Sequence, residues 1–368
     1  MAFPWRVPAL STLAVVSSIT GAAAAETIIY GMYLPATHIA IKASLTPYIQ
    51  RVEEQSDGAL KFEVYPGGSM VTGKTTLSGV GGGVVDGGQI VDAYHPRELP
   101  HVNVVSDLAL LSSDPRVSAG AVNETVLLDC EECTADFLEH NVKPLAVYAT
   151  SPYKLLCIKP ANTLEALEGT RIRTPGAWGP WAHALGATSV NISSAEGYEA
   201  MERGQLDCTF GSTGWLDSYS LGDVVTHVVE YPMGVWQGAW LFTVNKDRFD
   251  GLSEEHRRIL LDNLAAGVRD AEEGYILDDE RVKKAALDAG GIEFQEAADE
   301  IKQRLEEHRR NEVERVAETA KERGVEDPER IIRIFQENTA KWEKIVAEAG
   351  DDWDAYEEAL HREIFSKL

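Results

Sequence analysis

Apolar residues recur along this chain at two spacings. Thr27–Met32 is a short apolar run rich in Ile and Tyr, the pattern of a strand. Ile41, Leu45, Tyr48, Ile49 and Val52 then fall on one helical face, and Pro47 near its middle predicts a kink. Ser56-Asp57-Gly58 ends that helix as a turn. Leu60, Phe62 and Val64 alternate with Lys61 and Glu63, which predicts a half-buried strand closed by Pro66-Gly67-Gly68. Strand, helix and strand in close succession form a βαβ unit, with parallel strands and a right-handed crossover.

The alternation continues. Residues 75–85 predict a Gly-rich helix, 88–93 a strand and 143–149 a strand that crosses into a second domain. There the pattern gives strands at 155–158, 171–174, 189–192 and 206–210, with helices at 178–185 and 194–203, the latter capped by Ser194. Residues 241–245 read as a strand returning to the first domain. The last third is helical: Ser253 caps a helix running to about residue 289, and two more follow, with Asp327-Pro328 opening the last long one. The fold class is therefore α/β with two lobes joined by hinge strands. Lobe I takes residues 27–147 plus 240–300; lobe II takes 148–239 plus 301–368 with the C-terminal helices. Ligands in such folds sit at the carboxyl ends of strands.

Composition narrows the setting. Residues 1–25 carry one basic residue, Arg6, then a mostly apolar run from Val7 and a string of alanines at 22–25. This fits a signal peptide cleaved before Glu26, and hence a periplasmic protein. A membrane anchor is disfavoured because Ser11, Thr12, Ser17, Ser18 and Thr20 interrupt the run. The formal net charge is −25. Such a chain repels phosphate backbones, which argues against nucleic acid as a partner. Of the four cysteines, Cys157 and Cys208 both lie on predicted strands and are expected to pair. Cys130 and Cys133 form a C-x-x-C in an acidic helical stretch, where carboxylates raise thiol pKa values; a structural or free pair fits better than a redox site.

The candidate chemistry centres on Glu168-Gly169-Thr170-Arg171-Ile172-Arg173-Thr174-Pro175-Gly176. Arg171 and Arg173 point the same way from a strand that ends in a Pro-Gly turn, a place suited to gripping a carboxylate. With Ala184-Leu185-Gly186-Ala187 and residues 200–207 (AMERGQLD), this stretch resembles the solute-binding proteins of tripartite ATP-independent periplasmic (TRAP) transporters, of the dicarboxylate-binding type. Residues 62–68 (FEVYPGG) and 245–252 (NKDRFDGL) extend the likeness in family order. The resemblance implies two α/β lobes, a long lobe-bridging helix, closure on ligand, and delivery to a membrane permease. It also implies that Arg173 clamps a ligand carboxylate, with Arg171 secondary. Many family members carry an Asn after the later strand; here Cys208–Thr213 has none, and Ser212 or Thr213 is the candidate substitute.

Tyr33, Tyr94, Trp178, Trp181, Trp215 and Trp236 stand near predicted strand ends. Tyr94, Trp215, Tyr33 and Trp236 are the candidates for covering an apolar, aromatic or cationic part of the ligand. His38, at a helix start after the first strand, is a candidate neutral donor. No G-x-S-x-G, H-E-x-x-H or Walker-type loop occurs, and the histidines lack metal spacing, so neither enzyme activity nor a cofactor or metal is expected. The expectation is a receptor for a small organic anion; the alternative is a sensory protein presenting its ligand to a receptor kinase.

Overall fold

The structure, a computed structural model, describes Met1 and residues 25–368; residues 2–24, and with them the expected signal peptide, lie outside it. Among the described residues no helix is long and apolar enough to cross a membrane.

The opening βαβ unit forms as the pattern predicts. β1 (Glu26–Gly31) and β2 (Leu60–Tyr65) pair in parallel, with Ile28 opposite Phe62 and Tyr30 opposite Val64. Their connection takes up Pro47 without a mid-helix break. A π-helical turn at Ala40–Leu45 hands over to an α-helix at Thr46–Gln55, which puts the proline in its first turn, where no N–H is needed. The strand expected at 88–93 is broken into β3 (Gly87–Gly88), β4 (Ile90–Val91) and a 3₁₀ turn at Asp92–Tyr94. A Cβ on Gly87 would stand 2.6 Å from the Tyr30 ring, so only glycine lets β3 run this close.

β5 (Val142–Tyr148) leads out of this first sheet. The second sheet contains β6 (Lys154–Cys157), β7 (Arg171–Arg173), β8 (Thr188–Val190), β9 (Cys208–Gly211) and β10 (His227–Val229). β11 (Ala239–Asn245) returns to the first sheet, and β12 (Glu293–Gln295) joins the second. The first sheet runs β2-β1-β3-β11-β4, with β5 also on β11; the second runs β12-β10-β6-β9-β7-β8. Cys157 and Cys208 face each other in the β6/β9 register and form the expected disulfide. Cys130 and Cys133 also form one, buried at the start of the helix Glu131–Glu139.

Two of the chain segments that cross between the sheets, 149–153 and 230–238, are hydrogen-bonded to each other. Pro152 and Val235 form an antiparallel bridge, flanked by Thr150 N to Trp236 O (2.9 Å) and Tyr153 N to Gly234 O (2.8 Å). The helix Leu264–Ala289 packs beside this ribbon. Its Glu272 accepts from Tyr356 Oη (2.8 Å), and its Asp279 accepts from Ser151 Oγ (2.8 Å) and Gly214 N (2.7 Å). The single helix expected from Ser253 is instead two, parted at Asn263.

The C-terminal region differs from expectation. β12 belongs to the second sheet, although residues 240–300 were assigned to lobe I. The helix Asp299–Arg310 packs on the second-sheet helix Trp178–Ala184. Pro328–Ala349 and Trp353–Glu363, assigned to lobe II, pack instead on the first-sheet side, against Pro115–Glu124 and Leu264–Ala289. The reason is the apolar stripe of Ile331, Phe335, Trp342 and Val346. Trp342 lies directly on Gly120 and donates its Nε1–H to Glu124 at 2.8 Å.

Two stability predictions follow from this arrangement. The Cys157–Cys208 bridge closes a separation of 51 residues and the Cys130–Cys133 bridge one of 3. Chain entropy gives about 4 kcal/mol for the first and about 2 kcal/mol for the second. Replacing the first pair with alanine should therefore lower the urea midpoint more than replacing the second; the reverse order would contradict it.

Asp92 is fully buried and accepts from Ser106 Oγ (2.9 Å) and Trp240 Nε1 (3.4 Å), and no cation among the described residues pairs with it. Burial, chiefly, pushes its carboxyl up to about 8. The folded protein thus keeps a proton that the unfolded chain releases above about pH 4, so this group's stabilisation is full below that pH and lost as pH rises through about 8. The melting temperature of Asp92→Asn should fall less than that of the parent between about pH 5 and about pH 8.5. Equal falls would refute the assignment.

Candidate ligand-binding site

The lobes meet around a small cavity. Its walls come from strand ends and connections, where backbone leaves the sheets and side chains converge. The first lobe supplies Tyr33, Leu34, His38, Val91 and Tyr94; the crossing ribbon supplies Thr150, Tyr153 and Trp236. The second lobe supplies Arg173, Pro175, Ser194, Trp215 and Tyr219. Tyr148 at the end of β5, Ala239 at the start of β11 and Tyr275 on the long helix complete the lining.

Arg173 ends β7, and its side chain is buried across the cleft. Its Nε donates to Ile192 O at 3.1 Å and its Nη2 to Tyr94 Oη at 2.8 Å, a bond between lobes. Nη1 has no partner, and no Asp or Glu among the described residues pairs with this guanidinium. The group stays charged at any working pH. Its carbon lies 5.7 Å from the centre of the Trp215 ring, a cation–π contact that partly replaces lost hydration. Tyr94 Oη also accepts from Ser194 N at 3.0 Å, while Ser194 Oγ and Tyr219 Oη are 2.8 Å apart. The arrangement is a fixed, buried positive charge with an open hydrogen-bond position, walled by aromatic rings. It suits one anionic oxygen pair attached to an apolar body.

A second polar cluster lies around His38, Tyr148 and Tyr275. The His38 ring packs on Tyr219 and Tyr275, at 5.2 and 5.9 Å between centres. Burial, with the charge of Lys42 adding to it, lowers its pKa to about 3, so the ring is neutral. Tyr148 and Tyr275 stack at 5.5 Å with their hydroxyls 3.2 Å apart.

Of the residues singled out from sequence, Arg173, Trp215, Tyr94, His38, Tyr33 and Trp236 line this one cavity. Arg171 does not. It shares a face with Arg173 but sits at the other end of the strand, in solvent, where it pairs with Asp207 at 3.2 Å. Ser212 is buried outside the lining, its hydroxyl without a partner, and Thr213 is taken by Lys154 Nζ at 3.0 Å. Neither replaces the missing Asn. Trp178 and Trp181 are core: Trp178 donates to Met233 O at 2.8 Å and Trp181 packs on His308.

Tyr148, Tyr153, Tyr219, Tyr275 and Ser194 escaped sequence reasoning. Three of them had a usable signal: Tyr219 lies four residues after Trp215, at the end of its short helix, and Tyr148 and Tyr153 flank the crossing between sheets. A larger surface groove around Lys143, Phe249 and Arg257 shares no residue with the cleft.

Residues 30–320 match the family described as bacterial extracellular solute-binding protein, family 7 (DctP). A protein of Comamonas testosteroni named outer membrane transporter protein TsaT is 23% identical over 308 residues, 81% of this chain and 88% of that protein. A TRAP periplasmic solute-binding protein of Bordetella bronchiseptica, solved with (R)- and (S)-mandelate, is similar in fold: TM-score 0.74 at 22% identity, covering 86% of this chain and 99% of that one. A marine-metagenome TRAP solute-binding protein specific for aromatic acid ligands, solved with 3-hydroxybenzoate, gives a TM-score of 0.77 at 21% identity, covering 87% and 99%. The family match runs through both sheets and includes every residue of the cavity wall. The chain thus belongs to the family 7 bacterial extracellular solute-binding proteins, the receptors of TRAP transporters.

Proposed function

We propose that this receptor captures a small aromatic monocarboxylate between its lobes and hands it to a TRAP membrane permease. The observation that carries the ligand assignment is Arg173: a buried guanidinium with an unpartnered Nη1 and no acidic partner, inside a wall of eight aromatic rings. One cation calls for one carboxylate. Rings of Tyr33, Tyr94, Tyr153, Trp215, Tyr219 and Trp236 around it favour a flat apolar body over a sugar or an extended polar chain. The mandelate and 3-hydroxybenzoate held by the two proteins of similar fold are acids of this class.

Ser194 Oγ is engaged with Tyr219, and His38 Nδ1 accepts from Ala40 N at 3.3 Å, so no serine–histidine pair is poised in the cleft. The family's role as solute-binding receptors supports binding over catalysis as the reading. The family's role in transport favours a permease over a receptor kinase as the partner.

Calorimetry with benzoate and the hydroxybenzoates tests the clamp. Arg173→Ala should weaken binding by about 2–5 kcal/mol, roughly 30-fold or more. The ligand-free variant should melt no lower than the parent, because a buried uncompensated charge has been removed. Unchanged affinity in Arg173→Ala would rule out the clamp.

A further inference from the structure

The cluster around Tyr148 has a donor to spare, and this follows from counting protons. Gln89, buried between β3 and β4, donates its Nε2–H to Tyr148 Oη at 3.1 Å. Tyr148 and Tyr275 share one hydroxyl–hydroxyl bond. The two phenols own two protons, and that bond uses one. Gln89 brings a proton to the pair instead of taking one, and among the described residues no other acceptor meets either hydroxyl. Whichever way the shared proton points, one phenolic O–H remains to be donated, and both rings line the cavity. Burial keeps both phenols protonated, pushing Tyr148 up to about 12 and Tyr275 well above the usual phenol range.

His38 adds a second donor. Its Nδ1 accepts from the Ala40 N–H, which assigns the ring proton to Nε2. The ring touches Tyr275 and lines the same cavity. No cation among the described residues lines this part of the wall, and Lys42 is exposed. Neutral donors alone satisfy a hydroxyl or carbonyl oxygen but leave a carboxylate poorly compensated for lost hydration.

Resting on the aromatic-acid reading above, we infer that Tyr148, Tyr275 and His38 determine specificity. They form a neutral donor pole that selects an aromatic acid bearing a hydroxyl or carbonyl oxygen away from its carboxylate, and that turns away aromatic dicarboxylates.

Titration calorimetry on the full mature chain tests this with benzoate, 3- and 4-hydroxybenzoate, isophthalate and terephthalate. At least one hydroxybenzoate should bind about tenfold tighter than benzoate, and both dicarboxylates about tenfold weaker than that hydroxybenzoate. In the double variant Tyr148→Phe/Tyr275→Phe the hydroxybenzoate-to-benzoate ratio should collapse to within about threefold of unity. Either single variant should keep part of the preference, because one phenol and its proton remain.

Benzoate binding as tightly as both hydroxybenzoates, a dicarboxylate binding tightest, or a double variant that keeps the full ratio would each overturn the donor pole while leaving the aromatic-acid reading intact. Failure of benzoate and both hydroxybenzoates to bind would overturn both. The parent ratios decide the matter even if the double variant does not fold.

Discussion

A positive charge held in the interior without a negative one is the constraint around which this molecule is arranged. Burying a guanidinium unpaired costs several kcal/mol even after relaxation. The fold offsets part of that cost with neutral groups: the Ile192 carbonyl, the Tyr94 hydroxyl and the Trp215 ring face. Each comes from a different element, and Tyr94 comes from the opposite lobe. The same residues that make Arg173 tolerable also define how the lobes sit when closed. The remainder of the cost is left for a ligand to relieve, which turns a folding penalty into a source of affinity.

The placement of this charge is set by topology more than by composition. The chain carries many acids, and its exposed arginines find them: Arg171 takes Asp207, Arg281 takes Asp217 and Asp278. Arg173 escapes because β7 is interior to its sheet, flanked by β8 and β9, and its last residue opens into the cleft. Two positions along one strand therefore separate a solvent ion pair from a ligand clamp. The helix Leu264–Ala289 plays a comparable part on the other side, carrying Tyr275 into the cavity while its Glu272 and Asp279 hold the chain on either side of the crossing.

Much of this was legible in the sequence, for definable reasons. Alternation at Leu60–Val64 and the strand–turn of Arg171–Gly176 are local signals that local geometry honours, and the strand patterns around Cys157 and Cys208 pointed to their bridge. The Ser194 cap was off by one residue: Ser193 takes the cap position, and its N–H donates to the Glu196 carboxylate at 2.9 Å. Tyr148, Tyr153, Tyr219 and Tyr275 were not legible as a group. They lie far apart in the chain and meet only because three connections converge on one cavity. The missing Asn pointed to Ser212 and Thr213, but sequence proximity cannot show that β9 turns their hydroxyls into the protein. The attachment of the last two helices was equally hidden. Their apolar stripe said that they pack, and only the small surface at Gly120 decided where.

The ribbon formed by residues 149–153 and 230–238 has a bearing on how the lobes move. Two independent tethers would let the lobes twist, slide and swing in many ways. Two tethers hydrogen-bonded to each other across Pro152 and Val235 behave as one narrow sheet, stiff within its plane and compliant about a single axis. With the helix Leu264–Ala289 as a further link beside it, such a joint narrows the range of orientations open to the lobes. Fewer orientations are surrendered at each capture, so the entropy of closing is partly settled when the ribbon folds, before any ligand arrives.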